Sequence, residues 1–106
     1  YEYPENIEKL VMKTICKEYI EIYGENDEKD VWFDKMKDVA EKCGFCREVK
    51  EYKKNPDLFK GHVGDVSSVI RVGVTGRMKS PDLWGILRTL GKEKVTERLN
   101  TFIATL

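Results

Sequence analysis

The sequence predicts an all-α protein, a helical bundle or short superhelical array of about five to six helices. Three observations carry that prediction. Apolar residues recur at three- and four-residue spacing in four separate segments. Three of those stripes run up to a glycine, at Gly24, Gly44 and Gly91, where a helix can stop. Only Val66 to Val74 is rich enough in β-branched residues to suggest a strand, and no second strand is present to pair with it.

The first helix is predicted from about Glu5 to Tyr23. Pro4 suits a first turn that has no use for its missing N–H, and Glu2, Glu5 and Glu8 place negative charge near a helix N-terminus. Ile7, Leu10, Val11, Ile15, Tyr19 and Ile22 form its apolar stripe, ending at Gly24. Asn26 and Asp27 offer caps for a second helix, whose stripe is Trp32, Met36, Val39, Ala40 and Cys43, with Gly44 as a left-handed stop. Cys46 to Gly64 is less regular: a short helix near Glu48 to Lys54, a turn at Asn55-Pro56-Asp57, then a loop holding His62 between Gly61 and Gly64.

Ser80-Pro81-Asp82 reads as a helix start, with Ser at the cap, Pro at the first helical position and Asp in the first turn. Leu83, Ile86, Leu87 and Leu90 are its buried stripe, and Gly91 its stop. The last helix carries Val95, Leu99, Phe102, Ile103 and Leu106 at the same period.

Size and charge narrow the function. With 106 residues and 41% hydrophobic content, the chain can bury one modest core. Lys+Arg and Asp+Glu are both 19, but their distribution is uneven: residues 1–50 hold 9 basic and 13 acidic side chains, residues 51–106 hold 10 and 6. Arg71, Arg77, Lys79 and Arg88 fall in a stretch whose only acid is Asp82, a bias that suits phosphate neighbours. No apolar run reaches the roughly 20 residues a bilayer requires, and no leader opens the chain, so a cytoplasmic protein is expected. Cys16, Cys43 and Cys46 are expected to be reduced thiols. Cys43-Gly-Phe-Cys46 has the spacing of a redox couple or half a zinc site, but the βαβ context is missing and only Cys16 and His62 are natural candidates for two further zinc ligands, so no metal site is assigned. His62 has no nucleophile near it in the pattern, and no catalytic residue is assigned. The first residue is Tyr1 and not Met, which points to a piece of a longer protein.

One stretch is more specific. Arg71, Val72, Thr75, Gly76, Ser80, Pro81, Leu83, Leu90, Gly91, Lys92, Glu93, Arg98 and Leu99 follow the pattern R-V/L-A-L-T-G, T/S-P-x-L, L-G-K-E and R-L. In this the chain resembles the end of bacterial-type glutamyl-tRNA synthetases, and a weaker likeness extends upstream to Trp32. Gly73 departs from the pattern, where Ala is usual. The resemblance implies a helix over Val66 to Val74, capped by Asp65, against local propensity. GHVG at Gly61 to Gly64 and RMKS at Arg77 to Ser80 are similar to class I synthetase signatures, but they lie too close together in a helical chain to build a nucleotide site.

The chemistry of the segment agrees with reading single-stranded RNA. Arg71 offers a planar fork of donors suited to the O2 and N3 acceptors of a cytosine, and a Pro-opened helix leaves first-turn N–H groups free. The resemblance adds roles: Arg71 on the third anticodon base, Ser80 with Pro81 on the second, and Leu83 flanking the third, although Leu83 also reads as core. Arg77, Lys79 and Arg88 are candidate phosphate contacts. The resemblance further implies a tRNA partner, the glutamate tRNA anticodon loop, and an upstream catalytic domain of the same chain where ATP and Mg act, with no cofactor held in this segment. Residues 1–61 are expected to form an N-terminal helical part with its connecting loop, and 62–106 the anticodon-reading part of one compact domain. A monomer is expected. The alternative is a helical protein-interaction module without RNA binding, docking through the Trp32 and Trp84 regions.

Overall fold

The computed structural model describes residues 1–106 and contains five α-helices, α1 Lys9–Ile22, α2 Lys29–Lys42, α3 Val49–Lys54, α4 Val63–Thr75 and α5 Leu83–Ile103, with a 3-10 turn at Pro56–Leu58. There is no sheet; the extended backbone makes one isolated parallel bridge, Cys46 with His62. The all-α expectation is met.

The centre of the molecule is α4, the segment whose composition favours a strand. Val63, Val66, Val69, Ile70, Val72, Gly73 and Val74 are all buried. The helix packs against α1, α2 and α5. Burying such side chains is worth about 1.5–3 kcal/mol each, against a few tenths per residue of unfavourable helix propensity, so packing decides the conformation. The cap differs from the expected one. His62 is the N-cap: its Nδ1 accepts from the Gly64 N–H at 2.9 Å, and the Asp65 carboxylate accepts from the His62 N–H at 2.9 Å. Asp65 is thus the third residue of a reciprocal capping box, and His62 belongs to the helix entrance.

The flanking helices adjust the sequence reading further. Helix α1 starts at Lys9 and not at Glu5; residues 5–7 form a turn that buries Ile7. Its buried face is Met12, Ile15, Cys16 and Tyr19, which leaves Leu10 72% exposed and off the stripe. The helix ends at Tyr23 in extended backbone, ahead of Gly24. Helix α2 buries Trp32, Met36, Val39, Ala40 and Cys43 as the spacing requires, and Gly44 leaves it at φ 87. Its N-cap is Glu28, not Asn26 or Asp27, and no side chain caps it. The Asp27 carboxylate instead takes Lys35 Nζ at 2.5 Å. In the core, Trp32 Nε1 donates to the Tyr19 hydroxyl at 2.9 Å.

Helix α5 consists of two arms broken at Gly91, whose φ of 82 and ψ of 162 lie outside the helical region. The loop between α1 and α2 holds the break. Glu25 accepts from the Lys92 N–H at 2.6 Å, Lys92 Nζ donates to the Tyr23 carbonyl at 2.6 Å, and Trp84 Nε1 donates to the Asp27 carbonyl at 3.0 Å. The first arm buries Leu83 and Leu87, the second Val95, Leu99 and Phe102. At the other end, the Glu2 N–H donates to the Gly76 carbonyl at 2.9 Å and the Tyr1 ring lies 4.8 Å from Phe102. The start of the chain thereby braces the connection from α4 to α5. No helix is long and apolar enough to cross a membrane.

Candidate nucleic-acid interface

The Thr75-Gly76 pair stops α4. Thr75 Oγ1 donates to the Arg71 carbonyl at 2.8 Å and accepts from the Arg77 N–H at 3.1 Å. Gly76, at φ 81, turns the chain away with its N–H on the Val72 carbonyl at 2.7 Å, a left-handed exit that a side chain would strain. The chain then doubles back so that Ser80 meets Arg71.

Arg71 Nε donates to Ser80 Oγ at 2.8 Å, and the Ser80 hydroxyl donates to the Pro81 carbonyl at 2.8 Å. The consequence is twofold. The guanidinium is oriented through one of its N–H groups, while its terminal nitrogens make no hydrogen bond or ion pair within the chain. The one Ser80 proton is already used, so the Ser80 hydroxyl is left as an acceptor, and it holds Arg71 in that capacity. Ser80 is not the helix cap, and Pro81 is not the first helical residue. Asp82 is the N-cap and Leu83 opens α5. The Asp82 side chain makes no capping bond but pairs with Lys29 Nζ at 3.1 Å.

Arg71 and Leu83 share an open pocket of about 600 Å3 with Lys29, Asp30, Trp32 and Phe33 of α2 and with Asp82. Leu83 is only 2% exposed, so it contributes pocket floor and core at once. Pro81 lines a separate shallow hollow with Gly85 and Ile86 on the other side of the turn. The structure therefore brings Arg71, Ser80 and Leu83 together, with Pro81 on the adjoining face.

The other cations are dispersed. Arg77 and Lys79 are exposed on the connection from α4 to α5 and border a hollow that also holds Glu2 and Glu5, so acidic neighbours temper their field. Arg88 is exposed and its Cζ lies 5.0 Å from the centre of the Trp84 ring. The remaining motif residues are structural: Arg98 Nη1 donates to the Val74 carbonyl at 3.0 Å, and Leu99 is fully buried. Phe33 was missed by the sequence reading. The signal available is its spacing: three residues before Met36 and seven before Ala40, it lies at the edge of the apolar face of α2. Its exposure is 37%.

No three His, Cys, Asp or Glu side chains converge as a metal ion needs, and no glycine-rich strand-to-helix turn exists. Cys43 belongs to the apolar face of α2, and Cys46 Sγ lies 3.1 Å from the Glu48 carbonyl, to which it donates.

Residues 59–103 match a family described as an anticodon binding domain. The glutamate–tRNA ligase of Acetivibrio thermocellus is 48% identical over 102 residues, covering 96% of this chain and 19% of that protein. Those of Clostridium perfringens strain SM101 and Sorangium cellulosum are 40% and 36% identical, over 97% and 96% of this chain and 19% and 18% of their own lengths. The chain thus spans about a fifth of the curated relatives it matches. No solved structure matches it significantly.

Proposed function

We propose that the chain is the anticodon-binding part of a glutamate–tRNA ligase, gripping the anticodon loop of glutamate tRNA for an enzyme whose catalytic domain lies outside residues 1–106; the anticodon binding domain match over residues 59–103 and the ligase relatives support the reading. The observation that carries the reading is the Arg71–Ser80 contact: a guanidinium fixed through Nε, with its terminal donors free, at the side of an open pocket. Such a fork matches two adjacent acceptors on a base edge. The reading assigns Arg71 and Leu83 to the third anticodon base, and Ser80 and Pro81 to the second. Arg77, Lys79 and Arg88 supply phosphate attraction. The chain contributes affinity and identity; ATP and Mg serve the catalytic domain, where glutamate is joined to the tRNA. The working place is the cytoplasm.

The test is a salt-dependent titration of the chain against an anticodon stem-loop of glutamate tRNA and a third-base variant. Arg71→Ala should cost roughly 1–3 kcal/mol on the matching loop and much less on the variant. Lys79→Ala should weaken both RNAs equally and flatten the salt slope. Equal losses on the two RNAs with Arg71→Ala would reduce Arg71 to a phosphate contact, and absence of binding at low salt would sink the reading in favour of a protein-interaction module.

A further inference from the structure

We propose that Phe33 is the stacking wall of the Arg71 pocket, so that the site takes one unstacked base with its edge on Arg71 and its face on a ring supplied by α2. The inference rests on the anticodon-binding reading. It adds a contact from the first half of the chain, outside the 59–103 segment that matches the anticodon binding domain family.

Four observations converge. First, Phe33 is 37% exposed on α2 although Trp32, beside it, is 6% exposed, so the core is completed without Phe33. Second, Phe33 borders the same pocket as Arg71 and Leu83. Third, the ring is held from its own helix: Lys37 Nζ lies 5.2 Å from its centre and is tethered to Glu48 Oε1 at 3.0 Å, while the Trp32 ring lies 6.2 Å away. A cation over a ring's π face and an aromatic neighbour both restrict it. Fourth, Lys29 and Asp82, paired at 3.1 Å between the start of α2 and the start of α5, both line this pocket.

These features answer different needs of one ligand. A base pulled from its stack exposes two apolar faces and a polar edge. Hydrogen bonds to the edge alone leave the faces in water, whereas a flat apolar wall covers one of them without regard to base identity. Arg71 then supplies the identity and Phe33 the sequence-tolerant part of the affinity. A lone exposed phenylalanine is ordinary on a protein surface. One sharing a pocket with an unengaged guanidinium fork has a ligand-shaped reason to remain uncovered.

The experiment compares Phe33→Ala, Phe33→Leu and Phe33→Trp with the unaltered chain, on the same stem-loop and its third-base variant, with thermal midpoints measured for each. Ala and Leu should both lower affinity by roughly 5- to 150-fold on both RNAs, leaving the salt slope and the preference for the matching base unchanged, and Trp should retain binding. If Leu binds like the unaltered chain while Ala does not, packing and not stacking is at work and the proposal falls. If Phe33→Ala binds normally while Arg71→Ala loses discrimination, the proposal falls and the anticodon reading stands. If neither substitution changes binding, both fall.

Discussion

Replacing Gly73 by Ala sets two effects against each other inside α4. In an ordinary helix interior the change stabilises by about 1 kcal/mol, because glycine loses more backbone freedom on folding. Here a Cβ on Gly73 would stand 2.7 Å from Leu99 Cδ2 and 2.8 Å from Phe102 Cδ2. Both approaches are about 0.8 Å inside the ~3.5 Å at which carbon atoms rest comfortably. Leu99 and Phe102 are fully buried, so neither can swing into solvent. Overpacking of this kind costs about 1–3 kcal/mol, which outweighs the propensity gain and leaves a net loss of about 1 kcal/mol. For a domain of this size the thermal midpoint should fall by roughly 4–8 °C, followed by far-UV circular dichroism. Leu99→Val trims the nearer obstacle, so the double variant should be less destabilised than the two single changes summed, by about 1 kcal/mol. A rise in midpoint for Gly73→Ala, or strict additivity, would refute the reasoning. The point bears on the site, since α4 carries Arg71 and α5 follows directly from Ser80. The missing Cβ at Gly73 is what allows α4 to approach Leu99 and Phe102 of α5 this closely.

Two further outcomes follow from buried or braced groups. Glu25→Ala removes the acceptor for the Lys92 N–H at the break in α5, a capping bond supplied from another loop, and should lower stability by about 1 kcal/mol in urea unfolding; an unchanged midpoint would mean that Lys92 Nζ and Trp84 hold the break unaided. Burial pushes the Cys16 thiol up to about 12, so it should resist alkylation at pH 8 until the chain unfolds. The sign of the linkage follows: with the folded value above the unfolded one, this contribution to stability is present below the unfolded value of 9.0 and declines as pH rises towards about 12. Cys16→Ala should flatten the fall in urea midpoint between pH 7 and pH 10, and an identical slope in both proteins would assign the alkaline loss to other groups.

Where the sequence could be read and where it misled have the same physical root. The stripe from Trp32 to Cys43 was legible because nothing outside α2 alters its period. In α1 apolar residues occupy more than one face, so periodicity alone could not choose between Leu10 and Met12; the packing of the other helices chose Met12. For α4 the local signal pointed to a strand, and only its central position among three helices makes a helix the better solution. The Ser-Pro-Asp turn is a different kind of failure. Local rules make Ser80 and Asp82 helix-capping residues, yet the Ser80 hydroxyl has gone to Arg71, nine residues earlier, and the Asp82 carboxylate to Lys29 on α2. Each forgoes a local bond worth about 1 kcal/mol and takes a partner at the edge of one pocket. Phe33, at the edge of the apolar face of α2, stays exposed beside the same pocket. Local rules fail together around this one pocket, and such clustered failures are where a functional site is expected.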